Sequence, residues 1–278
     1  MKKEKVYILK SPAKVNLGLW ITGKRPDGYH EIYTVFHTVS FHDRIVIKPS
    51  VSQKVETTSP FIKPEENIVT KALKRFEEWT GIHPEFEIFI EKNIPIGAGL
   101  GGGSSNAATV LQFLNSYYSF PLSDEELKKL ALSLGADVPF FLKGGIAIGE
   151  GIGEKLTYLD KKLKKKIFII YPNIQIKTSE IYSKITPQML TKREDIHIID
   201  SLLGETDTFF EKIENTLGMI VEENFPEVKE VLNTLRHLNY RPLVSGSGSS
   251  VFAVGAPKEE LRKICKIKGW KLIETVLE

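Results

Sequence analysis

The stretch "NIPIGAGLGGGSSNAATVLQFL", Asn93 to Leu114, sets five glycines into positions 97–103 and then turns apolar and helical. Glycine tolerates φ > 0, so successive backbone N–H groups can face an anion at close range. Ser104 and Ser105 fall where the helix starts, where unpaired amides and the helix dipole favour negative charge. The loop reads as a phosphate cradle, and the kind of phosphate decides the fold. Gly97, Gly99 and Gly102 match the G-x-G-x-x-G spacing of a doubly wound, dinucleotide-binding sheet. That fold needs an acid about 20 residues on, at a strand end, to hold the ribose. The acids at that distance, Asp124 to Glu126, lie instead in a capping-box signature opened by Ser123. No Gly-Lys-Ser/Thr follows the glycines, so a Walker loop fails too. Tight strand-to-helix packing alone needs fewer glycines and no paired serines. A non-Walker triphosphate cradle is the reading left.

The surrounding chain mixes strands and helices without regular alternation, which favours an α+β fold in two lobes. "KVYILKSPAKVNLGLWITG" alternates apolar and polar residues as one or two strands, and "KRPDGYHE" is a turn. "IYTVFHTVSFHDRIVIKPS" reads as two further strand runs. Ile68, Ala72, Leu73, Phe76 and Trp79 recur at helical spacing before a stop at Gly81. "EFEIFIEKNIP" is a strand leading into the glycine loop, whose helix runs to about Tyr118. "GGIAIGEGIGEKLTYL" looks like a glycine-rich hairpin, and "LDKKLKKK" is a solvated connection between lobes. Beyond it come a strand "IFIIYP", a helix opening at "TSEIYSKI", amphipathic helices over 207–224 and 226–238, and strand–loop–strand in "PLVSGSGSSVFAVGAP". A helix "KEELRKICKIKG" and a closing strand "WKLIETVL" complete the chain.

Bulk properties narrow the function. The 278 residues are 41% apolar and 26% charged, enough for one large or two modest domains with real hydrophobic cores. A formal charge of +3 is too small to indicate nucleic-acid or membrane binding, though it suits anionic ligands. A single cysteine, Cys265, leaves no disulfide framework or thiolate cage and suits a reducing cytoplasm. The apolar run near the N-terminus is too short for a signal peptide, and no stretch reaches the ~20 apolar residues of a membrane span. The histidines lack metalloprotease spacing.

Several residues carry possible chemistry. Asp137 stands alone as an acid in the apolar "LSLGADVPFFL". It can serve as a proton acceptor or cap a short helix near Pro139. Lys14, in "SPAKVN", is either the matching cation or a strand-surface lysine, and Asn16 shares its strand face. Ser245, Gly246, Ser247 and Gly248 sit between two strands, as a polar turn or as a backbone surface closing on a ligand. Tyr29 and His30 follow a tight turn, where they can stack on a pyrimidine and bond its polar edge, or simply pack on the sheet.

Three separated motifs, "SPAKVNLGLWITGKRPDGYHEI", "PIGAGLGGGSSNAA" and "VSGSGSSVFAV", appear in the order found in the GHMP kinase superfamily, which this sequence resembles. That superfamily includes galactokinase, homoserine kinase, mevalonate kinase and phosphomevalonate kinase. "GYHE" and "GADVPFFL" bring it nearest the branch that phosphorylates a cytidine-diphosphate-linked methylerythritol in non-mevalonate isoprenoid synthesis. The resemblance implies a ribosomal-S5-like lobe over 1–155, a ferredoxin-like lobe over 156–278, and a monomer or homodimer. It implies ATP with Mg²⁺ held mainly by the nucleotide, aided by Ser104 or Ser105. Asp137 becomes the catalytic base, and Lys14 its cationic partner. Pro95, Ile96, Gly97, Ala98, Gly99, Leu100, Gly101, Gly102, Gly103, Ser104 and Ser105 become the triphosphate cradle. Asn16, Tyr29, His30, Phe36, Lys92, Thr178, Tyr182 and Ser245 to Gly248 become substrate contacts, with Tyr29, His30, Phe36 and Tyr182 around the cytosine.

Overall fold

The β-branched alternation near the N-terminus forms one long strand, β1 (Tyr7–Lys24), and a tight turn leads into β2 (His30–Pro49). In that turn the Arg25 N–H donates to the Tyr29 carbonyl at 2.7 Å, and Gly28 takes φ +88°, which a side chain disfavours. These come from a computed structural model that describes residues 5–161, 163–196 and 206–278. The basic start of the chain, residues 1–4, and Lys162 of the charged connection lie outside the described residues. Where two strand runs are expected over 32–50, the structure has the single strand β2. Asp43 does not interrupt it, because its buried carboxylate accepts N–H bonds from Asn93 and Ile94 at 2.7 and 2.8 Å.

The chain divides into two compact units, each assembled from separated stretches. One gathers the described residues up to Ala13 with His42–Ile94 and Gly101–Gly144; the other gathers Lys14–Phe41, Pro95–Leu100 and the described residues from Gly145 onward. Two consecutive lobes split at 155/156 differ from this because β1 and β2, 18 and 20 residues long, each contribute to both units.

In the first unit the end of β2 pairs antiparallel with β4 (Phe86–Glu91), Ile45 opposite Ile90 and Ile47 opposite Ile88. The short β3 (Lys54–Thr57) adds in parallel. Helix α1 (Ile68–Thr80) starts at Asn67, whose side chain accepts the Val69 N–H, and stops at Gly81, φ +71°. Helix α2 (Gly102–Tyr117) follows the glycine loop. Helix α3 (Asp124–Leu134) has the capping box read from Ser123 and Glu126, and α4 (Val138–Phe141) is a single turn. Phe76, Phe86, Leu111, Leu114 and Phe140 are buried in this unit.

In the second unit the start of β2 pairs with the hairpin β5 (Ile146–Glu150) and β6 (Lys155–Leu159), as the glycine-rich pattern suggests. Past the charged connection, in which Leu163 is nonetheless buried, β7 (Lys166–Tyr171), β8 (Leu243–Val244), β9 (Val251–Val254) and β10 (Lys271–Val276) form an antiparallel sheet ordered β10-β7-β9-β8. Helices α5 (Thr178–Tyr182), α6 (Thr206–Lys212), α7 (Thr216–Asn224) and α8 (Pro226–His237) separate β7 from β8, and α9 (Glu259–Lys268) separates β9 from β10. This β-α-β-β-α-β order is the ferredoxin-like arrangement. Its core joins Phe168, Ile181, Val221, Val231, Val251 and Leu261. The helix expected over 207–224 is broken at 213–215. There Asn215 caps α7 by accepting the Leu217 N–H at 3.0 Å, and the Glu214 carbonyl accepts the Leu19 N–H at 2.8 Å.

Candidate active site

The loop 95–100 is held by its carbonyls. The Gly97 carbonyl accepts from Ile176 N–H at 3.2 Å, Ala98 from Ser250 N–H at 3.2 Å, Gly99 from Ser245 Oγ at 3.0 Å, and Leu100 from Lys14 N–H at 3.0 Å. In a planar trans peptide the C=O of one residue and the N–H of the next point in opposite directions. Four inward carbonyls therefore turn the N–H groups of Ala98, Gly99, Leu100 and Gly101 outward, as an anion requires. Gly97, Gly99 and Gly101 take φ of +63°, +73° and +69°, which this curvature needs. Pro95 and Ile96 are half-buried at the loop entrance, and Gly97 is exposed.

Beyond Gly101 the chain enters α2, whose first amides have no carbonyl within the helix to bond. Gly103 is exposed and Ser104 half-buried. Ser105 is fully buried, its hydroxyl accepting from Ser11 Oγ at 2.8 Å. Of the two serines expected to touch Mg²⁺ or phosphate, Ser105 has its hydroxyl engaged with Ser11, and Ser104 is the more exposed. Gly102 has its own reason to lack a side chain. A Cβ there would lie 2.8 Å from Ile94 Cγ2 and 3.2 Å from Lys92 Nζ.

The turn at Ser245–Ser250 is the platform on which the glycine loop rests. Gly246 and Gly248 take φ of +57° and +80°. A Cβ on Gly246 would lie 3.0 Å from Asn16 Oδ1 and 3.5 Å from Lys14 Nζ. Ser245 is buried and committed to the Gly99 carbonyl, so it shapes the loop from within. Ser247 Oγ lies 2.9 Å from Thr178 Oγ1, bringing two residues expected at the substrate together. Asn215, unremarked in the sequence, donates through Nδ2 to the carbonyls of Val244 and Gly246 at 2.7 and 2.8 Å.

Lys14 is 4% exposed, which makes it no surface lysine. Its Nζ donates to Asn16 Oδ1 at 2.6 Å, Asn16 Nδ2 donates to Thr34 Oγ1 at 2.8 Å, and Thr34 donates to the Gly18 carbonyl at 2.7 Å. This chain of single-direction bonds fixes the Asn16 amide orientation and aims the ammonium. The ammonium also lies 5.4 Å from the Phe36 ring centre. Asp137 precedes α4 in α-region backbone and makes no side-chain capping bond, so capping does not account for it.

The expected cytosine contacts divide. His30 and Tyr182 meet, ring centres 5.6 Å apart at 40°. Tyr29 is 62% exposed, its backbone pinned by the Asp27 carboxylate accepting its N–H at 3.1 Å. Burial, helped by the charge on Lys24, lowers the His30 pKa, which keeps its imidazole neutral near pH 7. Phe36 is buried, and a Cβ on Gly149 would lie 2.7 Å from its ring, so the ring packs against the sheet. Lys92 is likewise committed: its ammonium pairs with the buried Asp43 carboxylate and donates to Asn106 Oδ1 at 3.0 Å. In this structure the Lys92 ammonium is thus held by Asp43 and Asn106. Among the described residues no cluster of three or more His, Cys, Asp or Glu side chains is arranged to hold a metal, and no helix is long and apolar enough to cross a membrane.

Residues 67–145 match the family model described as the GHMP kinases N terminal domain. The chain is 66% identical to a 4-diphosphocytidyl-2-C-methyl-D-erythritol kinase from Persephonella marina, across 97% of this chain and 99% of that one. It is 55% identical to the enzyme of the same name from a Sulfurihydrogenibium species, across 98% and 99%. A crystal structure of 4-(cytidine 5'-diphospho)-2C-methyl-D-erythritol kinase superposes with a TM-score of 0.79 at 34% identity, covering 98% of this chain and all of that one. The Methanococcus jannaschii mevalonate kinase, 18% identical with a TM-score of 0.68 over 99% of each chain, shares the fold.

Proposed function

The chain belongs to the 4-diphosphocytidyl-2-C-methyl-D-erythritol kinase family of GHMP kinases, and on that premise we propose that it transfers the γ-phosphoryl group of ATP to the 2-hydroxyl of that cytidine substrate, giving the 2-phosphate and ADP in non-mevalonate isoprenoid synthesis. The observation that carries the reading is the glycine loop with its carbonyls drawn inward, a preorganised row of N–H donors for a polyphosphate. The residues fit ATP as substrate: Ala98 to Gly101 supply amides, and α2 supplies its N-terminus and the Ser104 hydroxyl. Mg²⁺ is bound mainly through the nucleotide's oxygens, because a lone hydroxyl is a weak ligand.

In the transfer, the substrate hydroxyl oxygen forms a bond to the γ-phosphorus as the bond to the β-bridging oxygen breaks and ADP leaves. Asp137 accepts the hydroxyl proton. Lys14, aimed by Asn16 and Thr34, stabilises the charge that builds on the transferred group. The cytosine stacks against exposed Tyr29 and the His30–Tyr182 pair. A neutral His30 can both donate to and accept from a pyrimidine edge. Thr178 and Ser247 supply further hydroxyls. We place the protein in the cytoplasm, where its lone buried thiol suits reducing conditions.

The test incubates the protein with Mg·ATP and the cytidine substrate, mevalonate or homoserine in parallel, reading ADP release and product mass. Turnover of the cytidine substrate alone is expected. Turnover confined to mevalonate or homoserine would overturn the assignment.

A further inference from the structure

Asp43 is fully buried in β2 and gathers four donors. One oxygen, Oδ1, accepts the backbone N–H groups of Asn93 and Ile94 at 2.7 and 2.8 Å. The other accepts Asn106 Nδ2 at 3.0 Å and takes the Lys92 ammonium. Lys92 in turn donates to Asn106 Oδ1 at 3.0 Å, and Asn106 Nδ2 also reaches Ser11 Oγ at 2.8 Å. Asn93 and Ile94 are the last residues before the glycine loop. Asn106 lies in the second turn of the helix that follows it. One carboxylate thus ties together the two ends of the loop. The Gly102 position agrees, since only a missing side chain lets the helix start lie against Ile94 and Lys92.

We propose that Asp43 is a positioning residue for ATP, holding both ends of the glycine loop at the separation a triphosphate requires. A stretch rich in glycine has the largest conformational entropy to lose, so the spread of its conformations depends on how firmly its ends are held. A charged acceptor serving four donors is stronger than neutral hydrogen bonds would be. Lys92 and Asn106 complete the clamp. The electrostatic cost of burying Asp43 is offset by Lys92 and by amides that must be satisfied in any case. This assignment rests on the ATP-dependent reading above and adds a residue that touches neither substrate nor nucleotide.

The test compares wild type with Asp43→Asn, which keeps an oxygen acceptor but removes the charge. The expected result is an about tenfold rise in KM for ATP and in Kd for ADP, corresponding to loss of one charge-assisted bond. KM for the cytidine substrate should stay within about twofold. Amide hydrogen exchange of a peptide spanning 95–105 should quicken in step, reporting the loosened loop directly. Asn106→Ala, which removes the helix-side tie alone, carries the same test should Asp43→Asn fail to fold. Unchanged ADP affinity and unchanged exchange in the folded variant would overturn the proposal. Equal weakening toward both substrates, the mark of a general structural role, would overturn it as well. ADP binding and exchange need no turnover, so they judge the clamp even if the wild-type chain fails to phosphorylate the cytidine substrate.

Discussion

Replacing Gly99 by alanine sets a methyl carbon 2.0 Å from the Ser245 carbonyl oxygen and 3.0 Å from that of Gly248, at φ +73°. Gly97 has nearly the same backbone, φ +63°, but a Cβ there meets the Gln175 side chain at 3.1 Å, which can give by a few tenths of an ångström. Both substitutions carry the left-handed penalty of about 1–2 kcal/mol. Gly97→Ala stops near that figure. In Gly99→Ala the Ser245 carbonyl must retreat by roughly 1.3 Å to restore a C···O contact of ~3.3 Å. That movement disrupts the bonds from Ser245 Oγ to the Gly99 carbonyl, 3.0 Å, and from Ser250 N–H to the Ala98 carbonyl, 3.2 Å. Each contributes ~0.5–1.5 kcal/mol, so Gly99→Ala should cost about 2–5 kcal/mol in all. That is a large share of the ~5–15 kcal/mol by which a domain is stable. Urea unfolding of the two variants measures the gap, expected at ~1–3 kcal/mol, and ADP titration should show the weaker binding in Gly99→Ala. Equal midpoints and equal ADP affinity would refute the view that the Ser245–Ser250 turn shapes the phosphate loop.

Asp137→Asn should lower kcat by about 10²–10⁴ while ADP still binds; an unchanged rate removes it as the proton acceptor. Tyr182→Ala should raise KM for the cytidine substrate by roughly fivefold to a hundredfold through lost stacking, with KM for ATP unchanged; no change in the former would show that Tyr182 only packs its helix. The buried His37 titrates at about 4, pushed down by burial against the opposing bond to the Thr38 carbonyl, 2.7 Å. Its Nε2 is buried without a partner among the described residues, so protonation there puts charge into an apolar setting. The pKa is depressed in the folded state, so the stabilisation is full above the unfolded value near 6.5 and is lost as pH falls toward 4. That amounts to about 3 kcal/mol. Imidazole NMR resonances should show His37 neutral down to about pH 4, and a midpoint near 6.5 would contradict this.

Much of the fold follows from local pattern. The capping box at Ser123 and Glu126, the α1 stop at Gly81 and the closing strand–loop–strand, helix and strand run depend on neighbours a few residues apart. They are therefore legible in one dimension. The long strand β2 was less so, since a carboxylate at position 43 reads as an interruption until its partners at 93 and 94 are known. The break at 213–215 had the same origin. Asn215 suits a helix interior poorly, but only the carbonyls of Val244 and Gly246 give its side chain a reason to stop one helix and cap the next. In the candidate site, motif spacing led to the loop, Lys14, Asn16, Asp137 and the Tyr29–His30 pair. It did not reveal the packing of Phe36 and Lys92, because an aromatic ring and a lysine look alike in sequence whether they face a ligand, a glycine or a buried acid.

The sequence by itself determined that a glycine-rich loop opens a helix, and that an acid, a lysine and a tyrosine–histidine pair stand in motifs beside it, because glycine's backbone freedom and side-chain chemistry belong to the residues. The tertiary structure decided which way that loop faces and what holds it. Peptide geometry ties each outward N–H to an inward carbonyl, and the acceptors and donors that satisfy the inward side come from residues far away in the chain. Ser105 meets a serine 94 residues distant, and Gly99 a serine 146 residues distant. Pairings over such separations form only when the strands and helices have packed. Until then a buried Asp43 and an exposed one are the same letter.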